Sequence, residues 1–409
     1  MHGMNQANVA SKSMKSVKFG IIGCGLMGRE FASAAARWCH LLNPVARPEL
    51  VAVCNRSAAP FEWLRAHFPG IRQFTHSYLD LLANPEVEAV YMALPHHLHQ
   101  EVCCAAIAAG KHLMAEKPLG LDLPANRAIE EAAARNPQVV VRCASQWIFF
   151  PAAQRIGQAI EREAFGRLIE VNAGFLHSSD LDPGKPINWK RIIELNGQYG
   201  VMGDLGMHVC ALPFRAGWLP RNVRAVLSDI VKERPDGKGG RVPCRTWDNA
   251  TLLCEAADPG SGEPFPMTLK FQRISPGQKN TWYLEVLGTK ASARFSTRNP
   301  KVLEWLDYTG GEQIWGCVET GHETACQTIT GPNFEFGFPD SILQMWAAFL
   351  HELSSGQPPK RFAGCATLSE VALSHRLFTA ALASQKNQTV ENVCENPVRS
   401  GNRRRLNPH

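Results

Sequence analysis

Two short segments carry residues whose types and spacing could move protons and stabilise developing charge. The first is Glu116-Lys117-Pro118, which directly follows the apolar run His112–Ala115. Pro118 restricts the preceding residue to extended backbone, so the starting point of the Lys117 side chain is constrained. An ammonium group held there can hydrogen-bond a hydroxyl and favour the alkoxide that develops as a hydride leaves its carbon. The alternative is an ordinary solvated surface lysine.

The second segment is Gly203-Asp204-Leu205-Gly206-Met207-His208. If Asp204 opens a helix, Asp204 and His208 lie on one face, with Cβ atoms about 5–6 Å apart. A carboxylate at that distance can orient an imidazole, whose titration range suits proton transfer near neutral pH. The spacing fits equally well with Asp204 as a helix N-cap and His208 as a packed helix residue.

Polar and aromatic residues between these segments could contact a hydroxyl-rich ligand. The candidates are Gln146, Trp189, Arg191 and Tyr199, which offer amide, ring, guanidinium and phenol groups. Each could instead serve loop or core packing, and that interpretation is favoured for Gln146 and Tyr199. We predict no metal site at His96-His97-Leu98-His99, because no cysteine or carboxylate cluster accompanies these histidines at ligand spacing.

A glycine-rich turn near the N-terminus predicts a dinucleotide site. The strand-like run Val17–Ile22 leads into Gly23-Cys24-Gly25-Leu26-Met27-Gly28 and then into an alanine-rich helix. The three glycines allow a tight turn, close approach of the backbone to a pyrophosphate, and close packing of helix on strand. The helix N-terminus then offers free N–H groups to the phosphates.

The end of the second strand indicates which dinucleotide is bound. NAD-specific sites place a carboxylate there to bind the ribose 2′-hydroxyl, whereas this chain has Asn55-Arg56-Ser57. The missing carboxylate removes repulsion of a 2′-phosphate, which Arg56 and Ser57 could bind. We therefore favour NADP over NAD, although an arginine covering the adenine ring would also suit NAD.

Alternating strand and helix patterns over residues 17–145 predict an α/β fold with a doubly wound parallel sheet. Strands outnumber helices over residues 146–340, which predicts a second, α+β domain with an open, mostly antiparallel sheet that binds substrate. Residues 231–247 read as a mobile surface loop. Helices over residues 341–393 follow, and residues 1–16 and 394–409 are expected to be disordered tails.

Length and composition agree with a two-domain cytoplasmic enzyme. The chain has 409 residues and a formal net charge of +6, half of which Arg403-Arg404-Arg405 supplies, so a nucleic-acid partner is not indicated. Its 13 cysteines show no Cys-x-x-Cys pair and are interpreted as reduced thiols. No segment has the apolar character of a signal peptide or a membrane helix.

The pattern as a whole resembles the Gfo/Idh/MocA family of oxidoreductases. The resemblance rests on Gly23–Gly28, on Pro95 with His99, on Gly110-Lys111-His112 running into Glu116-Lys117-Pro118, and on Asp204 through His208. It covers nearly all of residues 17–391. It implies a Rossmann domain, a second domain with an open sheet, closing helices that return to the first domain, and homodimers or homotetramers formed through the sheet.

The resemblance also implies roles for individual residues. Lys117 would bind the reacting hydroxyl of a sugar or polyol, His208 would act as general acid/base, and Asp204 would hold the substrate or His208. Residues expected along the cofactor, besides the glycine turn and Asn55-Arg56-Ser57, are Leu94, Pro95, His96, His99, Glu116 and Lys117.

The chain departs from the family pattern at two positions. His96 stands where Asn is frequent, and Ala211 where Asp often follows the histidine. Two alternatives stay open: a glycosidase that oxidises the sugar transiently and eliminates the glycoside, and a non-catalytic sugar or cofactor sensor.

Overall fold

The structure is a computed structural model that describes residues 14–308 and 310–393. Its N-terminal half is built on a six-stranded sheet in which every pair of neighbouring strands is parallel. The strands are β1 (Lys15–Ile22), β2 (Ala46–Cys54), β3 (Gln73–Thr75), β4 (Ala89–Met92), β5 (His112–Ala115) and β6 (Val141–Cys143). Their order is β3-β2-β1-β4-β5-β6.

Helices connect these strands, as parallel pairing requires. They are α1 (Leu26–Ala36), α2 (Phe61–His67), α3 (Tyr78–Ala83), α4 (His99–Ala108) and α5 (Leu123–Arg135). The strand order reverses between β1 and β4, and ligands of doubly wound sheets bind in the crevice outside the strand ends at such a switch point. The glycine turn after β1 and the histidine segment after β4 both lie at this crevice.

The C-terminal half is built on a nine-stranded sheet in the order β16-β15-β14-β13-β7-β12-β11-β8-β17. Only β7 and β12 pair in parallel within this sheet. The strands are β7 (Leu168–His177), β8 (Leu219–Ser228), β11 (Asn249–Ala257), β12 (Pro264–Gln272), β13 (Lys279–Gly288), β14 (Ala291–Ser296), β15 (Val302–Asp307), β16 (Gly316–Glu319) and β17 (Glu391–Asn392). The predicted fold class, a doubly wound parallel sheet followed by a mostly antiparallel one, is confirmed.

Five further helices complete the fold: α6 (Pro151–Glu161), α7 (Ile193–Asn196), α8 (Val201–Ala216), α9 (Phe338–Ser355) and α10 (Leu368–Asn387). Helix α8 lies between the large sheet and α10, which explains why it is apolar on almost every side. A Cβ atom on Gly206 would come within 2.3 Å of the Phe378 ring, so this glycine sets the close approach of α8 to α10.

Helix α9 returns to the N-terminal sheet and packs against α1 and β2. Its Trp346 stacks on Phe31 of α1 with ring centroids 3.7 Å apart, and Phe19 of β1 meets the same tryptophan edge-on. Helix α9 therefore shares an aromatic core with the N-terminal sheet.

The structure refines several sequence predictions. Strand β1 starts at Lys15, inside the predicted tail; residues 1–13 and 394–409 lie outside the described residues. The predicted mobile loop 231–247 contains a hairpin, β9 (Glu233–Pro235) with β10 (Arg241–Pro243). It is anchored by Arg234, which is fully buried and donates to the carbonyls of Asp180 and Asp182.

Two other general expectations concern the cysteines and the membrane. The cysteines within the described residues are free thiols. Across residues 14–308 and 310–393, none of the helices combines the length and apolar character that crossing a membrane requires.

Candidate active site

The glycine turn has the geometry that a dinucleotide needs. Gly23 has a φ of 96°, and a Cβ on it would lie 2.2 Å from the carbonyl oxygen of Ala93. A Cβ on Gly28 would lie 2.2 Å from the carbonyl oxygen of Gly23, whereas a Cβ on Gly25 would enter open space. Gly25 thus leaves the N-terminus of α1 open to a pyrophosphate, with Leu26 exposed and Met27 half-buried beside it.

The three residues after β2 divide into one anchor, Asn55, and two exposed residues, Arg56 and Ser57. Asn55 accepts the Cys24 N–H at 3.0 Å and donates to the Ser57 carbonyl at 2.8 Å, so it ties β2 to the glycine turn. Arg56 and Ser57 are exposed. Arg56 makes no hydrogen bond or ion pair with the part of the chain that the structure describes, which leaves its guanidinium free for a cofactor phosphate.

Of the three histidines after β4, His97 is exposed, whereas His96 and His99 are buried and hydrogen-bonded. His99 binds the Leu94 carbonyl through Nε2 at 2.9 Å, and its Nδ1 lies 3.4 Å from the Gly120 N–H. His96 contacts the carbonyl of Asn196 through Nδ1 at 3.1 Å. Burial lowers the pKa of His99 to about 4 and that of His96 well below its usual value. His99 therefore fixes the Leu94-Pro95 turn, and any cofactor contact here falls to the half-buried Leu94 and Pro95.

Strand β5 delivers Lys117 to the crevice. Glu116 is buried, accepts a hydrogen bond from the Tyr91 hydroxyl at 2.7 Å, and has a pKa raised by burial. The following Lys117–Pro118 peptide bond is cis. Lys117 Nζ then lies 2.6 Å from Asp204 Oδ1 on α8, so the ends of β5 and α8 meet at this pair.

Asp204 holds three cationic side chains. Besides Lys117, its carboxylate contacts Lys190 Nζ at 2.9 Å and Arg273 Nη2 at 3.3 Å. Burial opposes ionisation of Asp204, but these three positive charges hold its pKa well below the usual range. Helix α8 begins at Val201 with Gly200 as its N-cap, so Asp204 lies inside the first turn and is not the N-cap.

His208 lies one turn beyond Asp204 but forms no hydrogen bond with it among the described residues. Its ring packs near Phe175 and Trp147, with centroids 5.6 and 6.4 Å away, and its backbone carbonyl accepts Trp282 Nε1–H. Burial, aided by the charge of Lys117, lowers its pKa to about 3, so the imidazole is neutral at physiological pH. Nδ1 is buried without a hydrogen-bond partner among these residues.

The predicted substrate residues do not all reach this cluster. Trp189 does, because its ring lies 4.8 Å from that of His96. Arg191 is fully buried in an ion pair with Asp248, and Tyr199 donates into α10 at Thr379, 2.7 Å away. Gln146 is buried with its Oε1 unpartnered within the described residues. Packing therefore accounts for Arg191 and Tyr199.

Sequence reasoning passed over three residues that the structure brings to the site. Lys190 lies between Trp189 and Arg191, the two residues that the sequence offers as ligand contacts, and itself contacts Asp204. Arg273 follows β12, and His177 ends β7, with burial lowering the pKa of His177 to about 4. His177 and Arg273 lie at the carboxyl ends of β7 and β12, which pair in parallel. This position would have indicated a site, but it is known only once the order of strands in the sheet is known.

Comparisons with known proteins agree with this geometry. Residues 17–143 match an oxidoreductase family with an NAD-binding Rossmann fold. A levoglucosan dehydrogenase of Pseudarthrobacter phenanthrenivorans is 27% identical over 307 residues, which are 69% of this chain and 74% of the relative. An uncharacterised oxidoreductase of Synechocystis is 30% identical over 58% of this chain and 60% of its own length.

Solved structures have the same fold over nearly the whole chain. A levoglucosan dehydrogenase in complex with NADH and L-sorbose superposes with a TM-score of 0.83 at 22% identity, covering 94% of this chain and all of that one. An NAD-binding oxidoreductase from Klebsiella pneumoniae gives a TM-score of 0.82 at 25% identity over 93% of this chain and all of its own. Residues 17–143 therefore match the NAD-binding Rossmann domain of the Gfo/Idh/MocA oxidoreductase family, and the dinucleotide turn, the Lys117–Asp204 pair and the shared fold agree with that match.

Proposed function

We propose that this protein is an NAD(P)-dependent dehydrogenase or reductase acting on a secondary alcohol or ketone of a sugar or polyol. The observation that carries the proposal is the Lys117–Asp204 contact of 2.6 Å, with His208 one helical turn beyond it. The crevice is then bordered by an ammonium group, by the carboxylate that orients it and by a neutral imidazole. The glycine turn borders the same crevice from the other side. A bound nicotinamide supplies the hydride acceptor or donor.

The roles of the chain's own groups follow from their charges. Lys117 donates from Nζ to the reacting oxygen and stabilises negative charge there, which lowers the barrier to removal of the hydride. Three cationic side chains face the single carboxylate of Asp204, so the electrostatic potential at the reacting oxygen of the substrate stays positive. The neutral imidazole of His208 accepts the hydroxyl proton during oxidation and returns it during reduction. Asp204 positions Lys117 by direct contact.

A hydroxyl-rich substrate suits the polar atoms that border His208. The imidazole Nδ1 of His208 and the indole Nε1 of Trp147 are buried and make no hydrogen bond within the described residues. Buried polar groups generally find partners, and sugar hydroxyls can both donate and accept. The half-buried ring of Trp189 offers an apolar face to a sugar ring. Relatives named levoglucosan dehydrogenase and glucose-6-phosphate 3-dehydrogenase support this substrate class.

We propose NADP as the preferred cofactor, with NAD as the competing one. Arg56 and Ser57 are exposed beside the glycine turn, and the residue at the end of β2 is the neutral Asn55. A 2′-phosphate would therefore meet a guanidinium and a hydroxyl and no carboxylate. The NADH complexes of structural relatives support NAD instead, so measured affinities must decide.

A homo-oligomer formed through the large sheet is also proposed. The face of this sheet turned away from α8 exposes Val226 of β8 and Leu253 of β11 by 58% and 54%. Apolar side chains on an exposed sheet face favour self-association. Native mass spectrometry tests this directly: a monomeric protein at micromolar concentration contradicts it.

The functional proposal is tested with purified protein, both cofactors and a panel of sugars that includes levoglucosan, glucose 6-phosphate and anhydrosugars. We expect reduction of NADP or NAD, monitored by the absorbance of the reduced nicotinamide. Release of an aglycone without net change in that absorbance would instead identify the glycosidase. Tight binding of cofactor and sugar with no turnover would identify a sensor.

A further inference from the structure

A second cluster of chemically competent side chains lies outside the crevice. His40 ends a short 3-10 helix that follows α1, His322 lies in the loop after β16, and Asp340 is in the first turn of α9. One ligand atom from each lies within 4.8 Å of the other two. Three segments separated by up to 300 positions in the sequence thus bring two imidazoles and a carboxylate together.

His322 occupies the centre of the cluster without a hydrogen-bond partner. Its side chain is only 6% exposed, and neither ring nitrogen bonds to any part of the chain that the structure describes. A buried polar group without a partner costs about 1–3 kcal/mol, so it calls for an explanation. Burial also lowers its pKa, which keeps the imidazole neutral with a lone pair available.

The two other side chains are oriented by hydrogen-bond partners, and each keeps a lone pair that could bind an ion. His40 Nε2 lies 2.8 Å from the hydroxyl of Thr330, so Nδ1 remains available. Asp340 accepts the Gly337 N–H at 3.0 Å through Oδ2 and the Arg37 guanidinium at 3.2 Å through Oδ1. Hydrogen bonds of this kind orient the ligands of metal sites.

We propose that His40, His322 and Asp340 bind a divalent transition-metal ion of the zinc class. Two imidazoles and one carboxylate form a known zinc donor set that leaves a fourth position open. Ligand atoms on one tetrahedral zinc lie roughly 3.4 Å apart, as bond lengths near 2.1 Å require, so atoms that lie within 4.8 Å of one another must close by up to about 1.4 Å. His322 also borders a cavity of about 440 Å³, together with Leu42, Gln154 and Thr328, which gives the ion a path to the site.

An ion here would join the N-terminal and C-terminal halves of the protein. His40 follows α1, Asp340 begins α9, and these two helices already pack together. The site shares no residue with the Lys117–Asp204 cluster, so we assign the ion a stabilising role outside the hydride chemistry. Arg37 opposes a cation at Asp340, but its side chain is 38% exposed and can move into solvent.

The test uses the untagged full-length protein after treatment with a chelator. Calorimetry with Zn²⁺ and visible absorption with Co²⁺ should show one ion per chain, and Zn²⁺ should raise the Tm. His322→Ala and Asp340→Asn should each weaken binding about a hundredfold or more. Asp340→Asn keeps an acceptor for the Gly337 N–H, so it decides the matter if His322→Ala does not fold.

Two further variants sharpen the outcome. Arg37→Met removes the competing cation and should tighten Zn²⁺ binding, whereas His67→Ala, at an exposed histidine of α2, should leave it unchanged. Wild-type protein that binds no ion, or equal affinity in the wild type and Asp340→Asn, would overturn the proposal. The hydride-transfer activity is measured separately, and its loss or retention does not bear on this site.

Discussion

Lys117 Nζ and Asp204 Oδ1 lie 2.6 Å apart although 87 positions separate the two residues in the sequence. The contact joins the end of β5 in the parallel sheet to α8 against the antiparallel sheet. The proposed chemistry depends on this contact between domains.

Replacing Lys117 should abolish stabilisation of the reacting oxygen. Lys117→Met keeps the length of the side chain and removes its charge, so we expect kcat to fall about 10²- to 10³-fold. Cofactor affinity, measured by fluorescence titration, should stay unchanged. A variant with normal kcat and a raised KM would instead assign Lys117 to substrate binding alone.

Replacing His208 should affect proton transfer. We expect His208→Asn to lower kcat about 10²- to 10⁴-fold while cofactor binding and folding are retained. The check is the pH dependence of kcat in wild type and variant. If both profiles have the same shape and height, His208 has only a packing role between Phe175 and Trp147.

Asp204→Asn should destabilise the protein as well as inactivate it. The change leaves Lys117, Lys190 and Arg273 facing one another around a neutral amide, and breaking a buried pair in this way costs about 3–5 kcal/mol. Urea denaturation measures the loss in the free energy of unfolding. The double variant with Arg273→Met should recover part of it, and a loss below about 1 kcal/mol in the single variant would contradict the role assigned to Asp204.

Buried histidines should make the protein sensitive to acid. Burial lowers the pKa of His99, His177 and His375 to about 4, and that of His208 to about 3, whereas unfolded histidine titrates near 6.5. The unfolded state therefore binds more protons below about pH 6.5. The folding stability that the neutral buried histidines contribute is fully present above that pH. It is lost as the pH falls towards about 4, by up to about 1.4 kcal/mol per pH unit for each histidine.

Urea midpoints measured between about pH 8 and about pH 5 test this acid sensitivity. His375→Gln can replace the Nε2 contact to the Pro118 carbonyl without titrating, so it should make the decline less steep. The ionised Asp204 adds to the loss of folding stability only at a pH below the range in which the histidines titrate, because its pKa is depressed. A midpoint that does not change with pH would mean that the histidines are accessible to solvent.

Arg56 should determine the choice between the two cofactors. Arg56→Ala removes the one cationic group proposed for the 2′-phosphate, so NADPH affinity should fall about tenfold or more. NADH affinity, measured in parallel, serves as the control and should not change. Equal losses for both cofactors would place Arg56 over the adenine ring.

The sequence predicted the elements better than the contacts between them. The apolar runs Val17–Ile22 and His112–Ala115 correspond to β1 (Lys15–Ile22) and β5 (His112–Ala115), because a local pattern suffices to locate a buried strand. The segment 231–247 was predicted to be a mobile loop because it is rich in proline and glycine. The burial of Arg234 within it depends on the carbonyl of Asp182, 52 positions away in the sequence, so no local pattern indicates it.

For the candidate site too, individual residues could be predicted from the sequence better than the contacts between them. Lys117, Asp204 and His208 stand in local motifs and could be chosen from sequence alone. Arg273 contacts Asp204 from the end of β12, and Lys190 contacts it from a 3-10 helix after β7, and no local pattern reports either contact. Conversely, the sequence suggested Arg191 as a substrate contact. In the structure Arg191 is buried in an ion pair with Asp248, which lies in a distant segment of the sequence.

The most direct test of the account uses sugars deuterated at single carbons, with wild-type protein and the Lys117→Met variant. The account predicts that wild-type protein transfers deuterium from one sugar carbon to nicotinamide C4, and that the variant binds the same cofactor but transfers it at least about a hundredfold more slowly. Wild-type protein that binds cofactor and sugar without transferring deuterium, or a variant that transfers it equally fast, would contradict the account.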